Sequence, residues 1–256
     1  MTLQRKQLQL PHWAHYAGAA AFFLTLTAIL HIGVLSDITG RVLSGSQAGG
    51  FFTWLLWWWS YALREGLALF HTKLLMFPIG VAVFLNSPVN EIAGLALQTL
   101  VSPYAAFNIL FLACYVLTGT TAYLLFYRIT GSATASMCGA FTYAFSHYML
   151  VQHHHGHLST ATLYFNPLLA LALRSYFRKP NFANALGIGV SLAGVFLSDP
   201  YVAFSFGVVF LLGFFIYDLT LGDRRILNPQ VHRLLFVSIF AATLLAVFFY
   251  WPLLQQ

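Results

Sequence analysis

The sequence predicts an all-α fold: a polytopic transmembrane helix bundle of about seven spans, forming one module over residues 1–256. Three observations carry this reading. Hydrophobic residues make up 59% of the chain and charged residues only 7%, a balance foreign to soluble globular domains. Apolar runs of bilayer-spanning length recur, each bounded by Gly, Pro or charge. The Lys and Arg residues stand singly or in pairs between those runs, where they set topology; nucleic acid is not an expected partner.

The first thirteen residues, Met1 to Trp13, are polar and carry Arg5 and Lys6. The apolar run after them, 15–36, is longer than a signal-peptide core and lacks a small-x-small cleavage site, so it reads as a retained first span entering from the cytoplasm. Residues 37–103 then form a long external loop that is not hydrophilic. Phe51, Phe52, Trp54, Leu55, Trp57, Trp58, Trp59 and Tyr61 crowd its first part, and positions 54, 58 and 61 share a helical face. Large rings with a polar N–H or O–H favour the headgroup level, so 51–64 is expected as a helix in the outer interface, either as an aromatic belt or as the wall of a lipid-access groove. A second amphipathic piece, Glu91 to Leu100, follows the turns at Pro78-Ile79-Gly80 and Ser87-Pro88. Six further spans are expected at 104–127, 133–150, 159–176, 183–197, 200–218 and 231–253. Cys114 and Cys138 both fall inside spans, which argues for packing and against a disulfide framework.

Alternating spans put Arg5, Lys6, Arg128, Arg174, Arg178, Lys179, Arg224, Arg225 and Arg233 inside, leaving only Arg41, Arg64 and Lys73 of the 12 basic residues outside. Asp37, Glu65, Glu91 and Asp199 lie on the outer face. This layout requires that 37–103 not cross the membrane. It describes a multi-pass plasma (inner) membrane protein whose working face looks to the periplasm or exterior.

Four of the 10 histidines fall in His153-His154-His155-Gly156-His157, at the outer end of a span. Ionisable groups at membrane depth or its edge are costly to keep, which makes this run a site candidate. His153 and His157 are spaced i, i+4 and could hold a divalent metal with Asp37 or Asp199, although Gly156 disfavours an unbroken helix between them. The imidazoles could instead bind a lipid phosphate, or simply cap helix ends among headgroups. No cofactor other than that metal is implied. His31 and His147, inside spans, read as satisfied interior residues.

The stretches from Phe51 to Phe84, Pro103 to Ser132 and Gly139 to Leu173, with Phe-Ser-His-Tyr at 145–148 and Gly156-His157-Leu158, resemble the N-terminal half of large bacterial GT-C membrane glycosyltransferases. The resemblance runs from about residue 51 to 202. It implies a GT-C-like fold, a polyprenyl-phosphate sugar donor, and an acid in the first external loop. The family's Gly-Asp motif is replaced here by Ser46-Gln47-Ala48-Gly49, so Asp37 becomes the first candidate for the catalytic acid and Glu65 the second, with Asp199 as another possible base. Cations for the departing phosphate would come from Arg41, Arg64, Lys73 or His153, His154, His155 and His157. The resemblance also implies more spans than the chain has, which reads as a fragment or one subunit of a membrane complex.

Two other classes stay open. A non-catalytic GT-C-like scaffold or lipid-binding subunit would account for the missing motif, with membrane lipids and complex subunits as partners. A redox subunit would use His31 and His147 as axial haem ligands. A transporter is disfavoured by the absence of paired broken helices and inverted repeats.

Overall fold

A computed structural model describes residues 12–220 and 227–254; the basic pairs Arg5-Lys6 and Arg224-Arg225 lie outside them. The chain runs α1 (His12–Leu30), α2 (Ile32–Leu35), α3 (Gln47–Glu65), β1 (His71–Thr72), β2 (Val81–Ala82), α4 (Pro88–Leu97), α5 (Pro103–Thr130), α6 (Ala133–Ala144) and α7 (His147–His155). Then come α8 (Leu158–Ala161), α9 (Phe165–Arg178), α10 (Phe182–Ser198), α11 (Pro200–Val202), a π-helical segment (Ala203–Val208), α12 (Val209–Thr220) and α13 (Pro229–Leu254). The strands β1 and β2 form a small antiparallel ribbon within the first loop.

Four helical stretches are long and apolar enough to cross a membrane: Trp13–Leu30, Pro103–Thr130, Pro200–Thr220 and Val231–Trp251. The other expected spans take a different local form. The 133–150 stretch breaks at Phe145-Ser146 into α6 and α7, the 159–176 stretch divides into α8 and α9, and α10 has 17 residues. Local chemistry marks the breaks. Ser146 caps α7 by accepting the Met149 N–H, and Asp199 caps α11 through the amides of Tyr201 and Val202.

The central element is α5, capped by Ser102 with Pro103 at its first turn and closed by Gly131 in the left-handed region. Antiparallel to it lies α1, whose Phe23 is seated so closely on Gly119 that a Cβ there would strike the ring. On the same side α6 packs Ala140 and Ala144 against Ala122 and Tyr123. The main core joins α5 to α9, α10 and α13 through Phe107, Phe111, Tyr115, Leu169, Leu173, Ile188 and Leu192. The outward sides of α12 and α13 expose Val209, Leu212, Ile216, Phe236, Val237 and Phe240, the apolar surface a bilayer would cover.

The aromatic helix exists, as α3, but it is not laid bare to the interface. Trp58 and Trp59 are buried with Leu55, Ala62 and Val83, and the Trp58 indole donates to the Leu69 carbonyl at 2.9 Å. Trp54 stacks on Trp58 and Trp57 on Tyr61. The first loop therefore covers much of its own aromatic surface, with Leu69, Val83 and Leu85 packed against those rings.

Candidate functional site

The antiparallel α1–α5 contact brings the C-terminal end of α1 beside the middle of α5, and α7 closes the third side. Leu30, Gly33, Val34, Val42, Phe145 and Leu150 wall an open cleft of about 560 Å³ there; its polar groups are His31, Tyr115, His153 and Arg41. Ring packing sets the floor: His31 stacks on His153 at 4.8 Å between centroids, and Tyr115 stacks on Phe145.

Partner chemistry assigns the protons on the two rings. His31 Nδ1 donates to the Thr27 carbonyl at 2.8 Å, so Nε2 of a neutral His31 carries a lone pair. His153 Nδ1 stands 3.1 Å from that Nε2 and 2.9 Å from the Tyr115 hydroxyl oxygen; with both rings neutral, a bond between them assigns the proton to Nδ1. His153 Nε2 then keeps the free lone pair. Burial, followed by the neighbouring His31 and His154, pushes His153 down to about 4, so the ring is neutral at pH 7.

At the rim, Arg41 Nε meets Asp37 Oδ2 at 3.5 Å, both groups largely exposed, while Asp37 Oδ1 accepts the Gly40 N–H. The turn carrying this pair is pinned to α5 by Asn108, which is fully buried. Its Oδ1 takes the Leu43 N–H at 2.8 Å, and its Nδ2 donates to the carbonyls of Ile38 (2.8 Å) and Arg41 (2.6 Å). One side chain thus holds both ends of the 38–43 segment.

The histidine run divides in function. α7 ends at His155 because Gly156 turns left-handed at φ 72°, so His153 and His157 do not share a continuous helical face. His154 and His155 offer their carbonyls to the start of the first loop, accepting from Gly45 N–H at 2.8 Å and Ser46 Oγ–H at 2.6 Å. His157 donates from Nδ1 to Gln152 Oε1 and stacks with His155 near Phe52. Burial lowers His157 and His155 lowers it further, while Asp199 works against both. Among the described residues no group of three or more His, Cys, Asp or Glu is arranged to hold a metal ion.

The structure brings Arg41 and His153 into one cleft, with Asp37 joined to its rim through Arg41, and leaves the other candidates apart. Asp199 is buried, spends Oδ1 on capping α11, and belongs to the His157 side. Arg64 is folded back on Ser60, and Glu65 ends α3, which begins at the histidine run and carries both about 27 Å away at 1.5 Å per residue. Lys73 is exposed in the β1–β2 loop. His147 is exposed at the start of α7 while His31 pairs with His153, so the two are not opposed as haem ligands would be.

Tyr115 and Asn108 are the site residues that sequence reasoning passed over; each is a polar side chain in the most apolar stretch of the chain, and that was the available signal. Glu91 is a third. Expected on the outer face as a topological acid, it is buried, with Oε1 accepting the Asn86 and Ser87 amides and Oε2 unpartnered among the described residues. Burial pushes it up to about 7 against the pull of those two amides. Comparison with protein-family models, curated proteins and solved structures gives no match to this chain.

Proposed function

We propose that this chain is a multi-pass membrane protein that holds the phosphate end of a polyprenyl-phosphate-linked sugar in the α1–α5–α7 cleft, on the outer face, and transfers the sugar as a GT-C-like glycosyltransferase. The observation that carries the reading is the meeting of Arg41, which Asp37 pairs at the rim, with a neutral His31–His153 pair in one apolar-walled cleft of about 560 Å³. An anionic amphiphile suits these surroundings. Arg41 supplies a permanent charge, His153 Nε2 is free to take a proton as the anion arrives, and the apolar walls receive the first lipid units.

The orientation follows from charge. Arg128, Arg174, Arg178, Lys179 and Arg233 all stand at the helix ends remote from the cleft, where the positive-inside tendency puts the cytoplasm. In this reading the 133–150, 159–176 and 183–197 stretches complete about seven crossings with the four long helical stretches.

In the transfer step the acceptor hydroxyl oxygen bonds to the sugar C1 while the C1–O bond to phosphate breaks. The electron pair leaves with the phosphate, stabilised by Arg41 and the protonated His153, and the acceptor proton passes to Asp37. A second reading, a lipid-binding subunit without transfer, is favoured by one observation: both Asp37 oxygens are already engaged, by Arg41 and by the Gly40 amide.

The test uses the purified chain in nanodiscs, with polyprenyl phosphate binding and transfer from a radiolabelled polyprenyl-phosphate sugar measured side by side. Arg41→Gln is expected to weaken binding about tenfold, and Asp37→Asn to abolish transfer while binding persists. Binding without transfer in the unaltered chain selects the second reading. No binding at all overturns both.

A further inference from the structure

A second groove lies at the other end of α5, about 21 Å from Tyr115 at 1.5 Å per residue. α5, α9 and α12 run parallel and end together. Between them Leu125, Ile129, Ala170, Phe210 and Phe214 line an almost wholly apolar groove of about 560 Å³ that follows the π-helical segment and α12 from Phe206 to Tyr217. Arg174 and Tyr217 stand at its mouth.

The guanidinium is the feature the fold does not use up. Arg174 is half-buried, donates one N–H from Nη2 to the Arg128 carbonyl at 3.1 Å, and has no carboxylate within ion-pair distance among the described residues. Four of its five N–H donors remain. A fixed cation at the end of a greasy slot complements one amphiphile: an anion on an acyl chain.

Shape argues the same way. From Phe206 to Tyr217 the groove runs about 16 Å, an elongated slot of the form an extended acyl chain fills. We propose that this groove binds one anionic phospholipid from the surrounding leaflet, its phosphate on Arg174 and one acyl chain between α5 and α12. This rests on the membrane reading but not on sugar transfer, and the residues it invokes are distinct from those of the cleft.

Gly213 offers a clean way to close the groove. It lines the slot, and a Cβ built on it meets nothing within 4 Å, so a larger side chain enters open space without disturbing the helix. Native mass spectrometry of the delipidated chain, given equal phosphatidylglycerol and phosphatidylcholine, reads occupancy. The unaltered chain is expected to retain one phosphatidylglycerol with about tenfold preference, Arg174→Lys to keep part of it, and Arg174→Gln and Gly213→Phe each to lose it. Helix content and melting temperature control for folding. Equal retention of the two lipids, or a preference untouched by both Arg174→Gln and Gly213→Phe, overturns the proposal.

Discussion

Nε2 of His31 and Nδ1 of His153 meet at 3.1 Å across 122 residues of sequence, tying the end of α1 to the end of α7. Because His31 Nδ1 is committed to the Thr27 carbonyl, the bond between the rings has one direction, from His153 to His31. The pair is a neutral acceptor chain that ends in a free nitrogen at the cleft.

A double-mutant cycle of His31→Phe and His153→Phe measures that bond while keeping ring volume. The coupling in unfolding free energy is expected at about 1 kcal/mol, as for a partly buried neutral hydrogen bond. Additivity within about 0.3 kcal/mol would show that the rings merely touch.

Two groups give opposite pH slopes over nearly the same window. His153 is lowered to about 4, so between there and 6.5 the unfolded chain binds the extra proton, and stability falls as pH drops. Glu91 is raised to about 7, so between 4.5 and 7 the folded chain holds the extra proton, and its contribution is lost as pH rises. Glu91 therefore offsets part of the slope that His153, and His157 lowered in the same direction, give the unaltered chain from pH 5 to 6.5. Glu91→Gln keeps an acceptor for the Asn86 and Ser87 amides and removes the falling slope. Denaturation of this variant in detergent is expected to show stability rising with pH, and a flat profile refutes the assignment.

The helical class and the outline of the long helices were legible in composition and run length, since bilayer-length apolar helices leave a signal no soluble domain mimics. The break at Phe145-Ser146 was not, because Ser is unremarkable within an apolar run and its capping of Met149 shows only in three dimensions. Likewise the histidine run announced itself, but its division did not: His153 faces the cleft only because α1 returns antiparallel to α5, a tertiary fact. Glu91 was counted only as one of the outer-face acids and its burial was not foreseen, because nothing local marks burial of a side chain that accepts its own helix's leading amides. Asn108 was hidden for the same reason, its three partners lying about 70 residues away in sequence.

Asn108 gives the third prediction. Asn108→Leu fills the same volume but strands the Leu43 N–H and the Ile38 and Arg41 carbonyls. The expected cost is about 2–4 kcal/mol, less if water reaches the freed turn. Since that turn carries Arg41 and Asp37, binding of polyprenyl phosphate should weaken in the variant beyond what lower stability explains. Unchanged affinity in the folded fraction would mean that the turn holds its shape without this anchor.

The last prediction compares two glycines that share a backbone conformation and differ in surroundings. Gly131 closes α5 at φ 68°, with open space where a Cβ would go, and Gly156 closes α7 at φ 72°, with a Cβ position against the Ser44 side chain and 2.8 Å from Gly49 Cα. Alanine at Gly131 therefore meets only the left-handed penalty, about 1–2 kcal/mol. Alanine at Gly156 meets that penalty and also pushes the 44–49 segment off α7, against the bonds from Gly45 N–H to the His154 carbonyl and from Ser46 Oγ–H to the His155 carbonyl. Gly49 cannot easily yield, because its carbonyl accepts Thr53 Oγ1–H at 2.7 Å within α3. The expected cost at Gly156 is about 3–5 kcal/mol, with faster hydrogen exchange at the Gly45 amide. Equal losses at the two glycines would mean that the first loop adapts without cost, and that the histidine run does not anchor it.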